Sequence, residues 1–159
     1  MHNTFISLVQ RDHDDIASAF AIILAPQTTS AMLRDAIDAM KLGFTVHAIA
    51  EQRVLSSLVK NRPSFAITEV ARQARLDHVE QERCITELAS LVPGCRSWNK
   101  LVLELRGNML RHALDAPGVV LALEAALSPW PVRQVASRYA TERMRVLAET
   151  LPARLESAS

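Results

Sequence analysis

Four histidines and one glutamate fall where a helix would turn them inward. His47 and Glu51 are four residues apart in the stretch TVHAIAEQRVL, so on a helix they stand one above the other. The same stripe carries Met40, Phe44, Val54 and Leu58. His13, His78 and His112 lie on apolar stripes of their own, at the spacing of Phe5, Val9 and Ile16, of Ala74 and Ile85, and of Leu105 and Met109. A buried carboxylate is costly unless something compensates its charge. Imidazole suits iron, zinc and copper, and a carboxylate among imidazoles suits iron or manganese. The chemistry these residue types can do together is metal ligation, with a cation matching the charge of Glu51.

Other chemistries find little support. Cys84 and Cys95 form no CxxC or CxxH pair, so no cysteine-based zinc site is expected, and they read as two reduced thiols. Inward serines are not spaced against any histidine, and glycine-rich phosphate loops are absent. His2 is terminal and carries no information. Asn108, one turn before His112, either orients that ring by accepting a hydrogen bond from its other N–H or is a surface amide.

The elements that must position these residues are helices. Apolar residues recur at a 3.6-residue period throughout, and alternating strand patterns bounded by turn signals are missing. A first helix is expected from about Thr4 to Ala25, stopped by Pro26. A second starts after Thr29 or Ser30 and continues to about Lys60. A third, capped by Ser64, ends at Pro93-Gly94. A fourth is capped by Ser97 and is expected to kink or break at Pro117-Gly118, because proline removes a backbone donor and crowds the preceding turn. Ser128-Pro129 opens a last helix from about Val132 to Thr150, with a frayed tail after Pro152.

Short connections between long amphipathic helices bring each back beside its predecessor. The expected fold is all-α: an up-down-up-down antiparallel four-helix bundle with an additional C-terminal helix, packed on the outside or used for dimerisation. Residues 1–159 form one domain, with the bundle over about 4–127. At ~1.5 Å per residue, His47 and His78 each lie roughly 20 Å from their shared turn, and His112 sits at a similar level, with His13 offset somewhat further.

Bulk properties agree with this picture. The chain has 159 residues, 49% hydrophobic and 22% charged, with a net charge of +1. Its basic residues are scattered, which gives no electrostatic case for nucleic acid. No apolar run reaches the ~18–20 residues of a membrane span, and the N-terminus turns polar too soon for a signal peptide. A cytoplasmic protein is expected.

Taken in order, the motifs resemble the hemerythrin-like cation-binding domain. They read HDDI from His13, HAIAE from His47 to Glu51, DHVEQE from Asp77 to Glu82, and RHALDA from Arg111 to Ala116. The resemblance covers about Phe5 to Leu127. It implies a non-haem di-iron centre used for binding or sensing oxygen or nitric oxide, or in iron and oxidative-stress handling.

The chain departs from that pattern at one point. Ala116 stands where the family places a second bridging carboxylate, and Pro117-Gly118 follows. Asp115 is about 100° round the helix from the required direction. Glu82, four residues after His78, stands where oxygen carriers of the family have another histidine. The ligand set is therefore His13, His47, Glu51, His78 and His112, with Glu82 and Asp115 as further candidates. Five ligands make a comfortable mononuclear iron site, whereas a di-iron pair wants two bridging carboxylates. The competing expectation is a metal-free bundle acting as an interaction protein, dimerising through its last helix. Nothing in the sequence marks a substrate pocket, and an enzyme is the less favoured reading.

Overall fold

The structure, a computed structural model, describes residues 4–127 and 132–157. Among these residues there are five helices and no strand: α1 Phe5–Ile23, α2 Ser30–Asn61, α3 Phe65–Ser90, α4 Arg96–Leu127 and α5 Val132–Ser157. The chain is an all-α helical bundle. No described helix is long and apolar enough to cross a membrane.

Side-chain oxygens close three helix starts. Thr4 accepts from the Ser7 amide at 3.2 Å, Thr29 from Met32 at 3.2 Å and Ser64 from Ile67 at 3.1 Å, each satisfying a donor the helix itself cannot pair. The start of α4 differs from the expected Ser97 cap. Cys95 Sγ accepts from the Trp98 amide at 3.4 Å, and the helix begins at Arg96. Gly94, with φ of +82°, makes the left-handed turn before it, a conformation that glycine adopts without a Cβ clash.

Two further expectations are corrected. Helix α4 does not break at Pro117-Gly118; it runs on to Leu127. Helix α5 continues past Thr150 and Pro152 to Ser157. The proposed opening at Ser128-Pro129 lies outside the described residues.

The core divides into two clusters. One gathers the early part of α1 (Phe5, Val9), the late part of α2 (Ala50, Val54, Leu55), the early part of α3 (Ile67, Ala71, Ala74) and Val135, Ala136 and Tyr139 of α5. The other gathers late α1 (Ile16, Phe20, Ile23), early α2 (Met40, Phe44), late α3 (Cys84, Ile85, Leu88) and early α4 (Trp98, Leu101, Leu105). Pooling early with late segments is what helices produce when each returns beside its predecessor. His13, His47 and His78 fall in sequence between the residues of the two clusters, and Glu51 lies one turn beyond His47, beside Ala50 at the edge of the first. The polar layer is thus sandwiched between two apolar ones, which shut water out on both sides.

Helix α5 packs on α1 and α2 rather than standing apart. Arg53 of α2 reaches Glu142 and Glu149 of α5 at 3.2 and 3.3 Å. The pair with Glu149 is solvent-exposed and worth little in stability, while that with Glu142 is half-buried. The anchor is Tyr139, fully buried, whose ring meets Phe5 edge-on at 5.4 Å.

Candidate metal centre

All four inward histidines are buried, with exposures of 8% for His13, 1% for His47, 7% for His78 and 8% for His112, and Glu51 is 3% exposed. They converge. His47 Nε2 lies 3.4 Å from His112 Nε2, and His78 Nε2 lies 3.2 Å from His112 Nε2. Glu51 Oε2 is 3.8, 3.3 and 3.5 Å from the Nε2 atoms of His47, His78 and His112. One ligand atom from each of these four residues lies within 4.8 Å of every other. His13 joins from the side, its Nε2 3.2 Å from that of His47.

Two of the rings are held from behind. Tyr139 donates its hydroxyl proton to Asp12 Oδ2 at 2.6 Å, so its oxygen accepts from His47 Nδ1–H at 2.9 Å. Arg143 Nε in turn donates to Asp12 Oδ1 at 2.7 Å. Asp77 Oδ2 accepts from His112 Nδ1–H at 3.2 Å. A proton committed to Nδ1 leaves Nε2 of a neutral ring with a bare lone pair, and both lone pairs point at the same spot. His78 lacks such a partner and is braced by the ring of Phe44 at 5.9 Å.

Burial sets the charge states. It lowers His13 to about 4, with His112 adding to the effect. It lowers His78 to about 4 and His47 well below its ordinary value, in both cases against the pull of Glu51. Burial pushes His112 the same way, but hydrogen bonds and charge from Glu51 and Asp77 outweigh it and raise that ring. Burial also pushes Glu51 up, yet the hydrogen bond from His112 and the facing imidazoles hold its carboxyl below the usual range. In the protein alone, His112 and Glu51 therefore each favour the other's charged form. Glu51 Oε2 still has no well-formed hydrogen bond, an expensive condition for a buried carboxylate oxygen.

The remaining sequence candidates lie elsewhere. Glu82 is exposed on α3, outside the cluster, and the buried residue beside it is Gln81. Asp115 is exposed on α4 and is not among the converging ligands. The side chains of Ala116 and Pro117 lie outside the described residues. Asn108 does not hold His112: its amide nitrogen is 3.9 Å from Cys84 Sγ, and its oxygen accepts from Arg111. Cys84 and Cys95 are both free. A second grouping, Glu80, Cys84 and Glu104, is already served by a cation of the chain, since Arg83 donates to Glu80 at 2.8 Å and to Glu104 at 2.9 Å.

Sequence reasoning missed Asp12, Asp77 and Tyr139. A signal existed for the two aspartates: each immediately precedes a core histidine, in Asp12-His13 and Asp77-His78. Tyr139 was legible as an inward residue of α5, but not as a partner of His47.

No family model, no curated protein and no solved structure matches the chain. The case for function therefore rests on the cluster itself.

Proposed function

We propose that the chain is a hemerythrin-like, non-haem metal-binding protein that holds one iron ion between His47, Glu51, His78 and His112. The observation that carries this reading is the spacing of the four ligand atoms. Four donors arranged tetrahedrally at the ~2.0–2.1 Å typical of nitrogen and oxygen ligands stand about 3.3–3.4 Å apart. Five of the six separations run from 3.2 to 3.8 Å, and all six lie within 4.8 Å. Hydrogen-bonded core histidines have no reason to aim four ligand atoms at one centre, with the outer nitrogen of His47 held by Tyr139 and that of His112 by Asp77.

One ion fits better than two. Glu51 is the single carboxylate in the group among the described residues, and a pair of ferrous or ferric ions wants more negative charge than that. Iron is preferred over zinc or manganese on the resemblance of the ordered motifs to hemerythrin-like domains. Bound there, iron would supply a redox-active centre for a small diatomic ligand such as O2 or NO, which suits a role in oxygen, redox or metal sensing in the cytoplasm. His13, at the edge of the group, is the residue closest to such a ligand or the fifth donor.

A second reading is favoured by one observation. His112 lies between Glu51 and Asp77 at 3.5 and 3.2 Å, and this pairing favours the charged carboxylate without any ion, as a bundle serving only as an interaction scaffold requires. Anaerobic iron loading, followed by metal analysis and an optical spectrum, separates the two. Near one iron per chain supports the mononuclear centre, near two with an oxo-bridge absorption supports a di-iron form, and no uptake supports the scaffold.

A further inference from the structure

The histidine cluster opens on one side into a cavity of about 390 Å³ in the seam between α1 and α4. His13, His47 and His112 close its inner end, and the wall beyond them is mostly apolar, with Ala17, Phe20 and Leu24 from α1 and Met109 and Leu110 from α4, while the exposed side chains of Asp14 and Arg106 bring one charge of each sign to it. From His13 to Leu24 the lining extends about 16 Å along the helix. Leu24 and Leu110 remain 38% and 48% exposed at the rim. The volume lies at the small end of ligand pockets, which run from ~300 to 1,000 Å³. A diatomic ligand needs none of this length.

Charge decides what belongs at the inner end. Among the converging ligands Glu51 offsets a divalent ion by half, and Asp14 on the cavity wall is exposed, so water screens it. Asp12 is already neutralised by Arg143 at 2.7 Å. Asp77 sits on the outer nitrogen of His112 with its side chain 25% exposed, so water screens it. A buried site with one uncompensated positive charge is costly, and one negative charge brought by a ligand removes that cost.

We propose that the α1–α4 cavity binds a medium-chain carboxylic acid, its carboxylate at the histidine end as the charge partner of the metal and its alkyl chain along the apolar seam. This rests on the reading of the cluster as a metal centre. The acid supplies the second carboxylate that the chain's own ligand set lacks, and burial of the methylenes of the tail supplies most of the affinity.

The test uses the full chain loaded with cobalt(II), a spectroscopically visible stand-in for iron, titrated with decanoate, acetate and decyltrimethylammonium. Decanoate is expected to shift the cobalt visible bands and to bind at least about tenfold tighter than acetate, while decyltrimethylammonium leaves the bands unchanged. Ala17→Trp, at an exposed helix position that tolerates a larger side chain, fills the seam. It is expected to weaken decanoate at least about tenfold while keeping cobalt uptake and acetate binding. Decanoate no tighter than acetate, or unaffected by Ala17→Trp, overturns the proposal while cobalt uptake leaves the metal reading standing. A folded chain that takes up no cobalt overturns both.

Discussion

The hydroxyl of Tyr139, on the last helix, lies 2.9 Å from Nδ1 of His47 in the middle of the second. Ninety-two residues separate them in sequence, and the contact decides which nitrogen of His47 faces the core. Because Tyr139 spends its proton on Asp12, it can only accept from His47. Helix α5 is thereby part of the centre rather than an appendage.

Tyr139→Phe keeps the packing and removes the hydroxyl. His47 Nδ1 and Asp12 Oδ2 lose a partner in a buried setting, which costs about 1–3 kcal/mol. Metal affinity is expected to fall ~10–100-fold, the usual effect of removing a group that orients a ligating histidine. Urea unfolding and chelator competition measure the two effects separately. A variant that loses stability but retains full affinity contradicts the orienting role.

Glu51→Gln is nearly isosteric and removes the charge that raises His112. The imidazole of His112 is expected to titrate at lower pH in the variant, as seen by following its ring resonances in the metal-free protein. An unchanged titration would mean that Asp77 alone holds the proton.

Stability of the metal-free protein depends on pH in a defined direction. His13 and His78 titrate at about 4 in the fold and near 6.5 when unfolded; burial lowers His47 well below its ordinary value as well. Between those values the unfolded chain binds more protons, so stability falls as pH drops from 6.5 towards 4, by up to about 1.4 kcal/mol per pH unit for each ring. His112 acts oppositely: its folded value is raised, so its contribution is present at low pH and is lost as pH rises through that value. Urea midpoints at pH 7.5, 6 and 5 test the sum, with a decline below 6.5 expected. A midpoint that holds steady over that range would contradict the burial of neutral rings.

Glu82→Ala and Asp115→Ala alter exposed side chains that lie outside the converging group. Each is expected to change stability by less than about 0.5 kcal/mol and to leave metal uptake as it is. Loss of metal in either variant, measured by metal analysis, would place a ligand where the fold does not.

What could be read in the sequence, and what could not, follows from range. His13, His47, Glu51, His78 and His112 were legible because a 3.6-residue stripe tells inward from outward without knowledge of the neighbours. Thr29 and Ser64 were legible as caps for the same local reason. The partners Asp12 and Asp77 depend on which helix lies alongside. Asp12 meets Tyr139 across 127 positions and Asp77 meets His112 across 35, and no periodicity encodes that. Glu82 looked inward because it follows His78 by four, yet the face at that level is taken by Gln81. The cap of α4 was misplaced because a cysteine sulfur does the work expected of Ser97. Pro117 did not end α4, since losing one backbone bond, at ~3 kcal/mol, can be outweighed by the packing of a long helix.

The most direct test of the central claim is a ferrous-iron titration of the anaerobic protein, with the metal retained after desalting set against chain concentration. The account predicts close to one iron per native chain, the same for Glu82→Ala, and little for folded His47→Ala or Glu51→Ala. A folded native chain that retains none, or retention indifferent to His47 and Glu51, would contradict it.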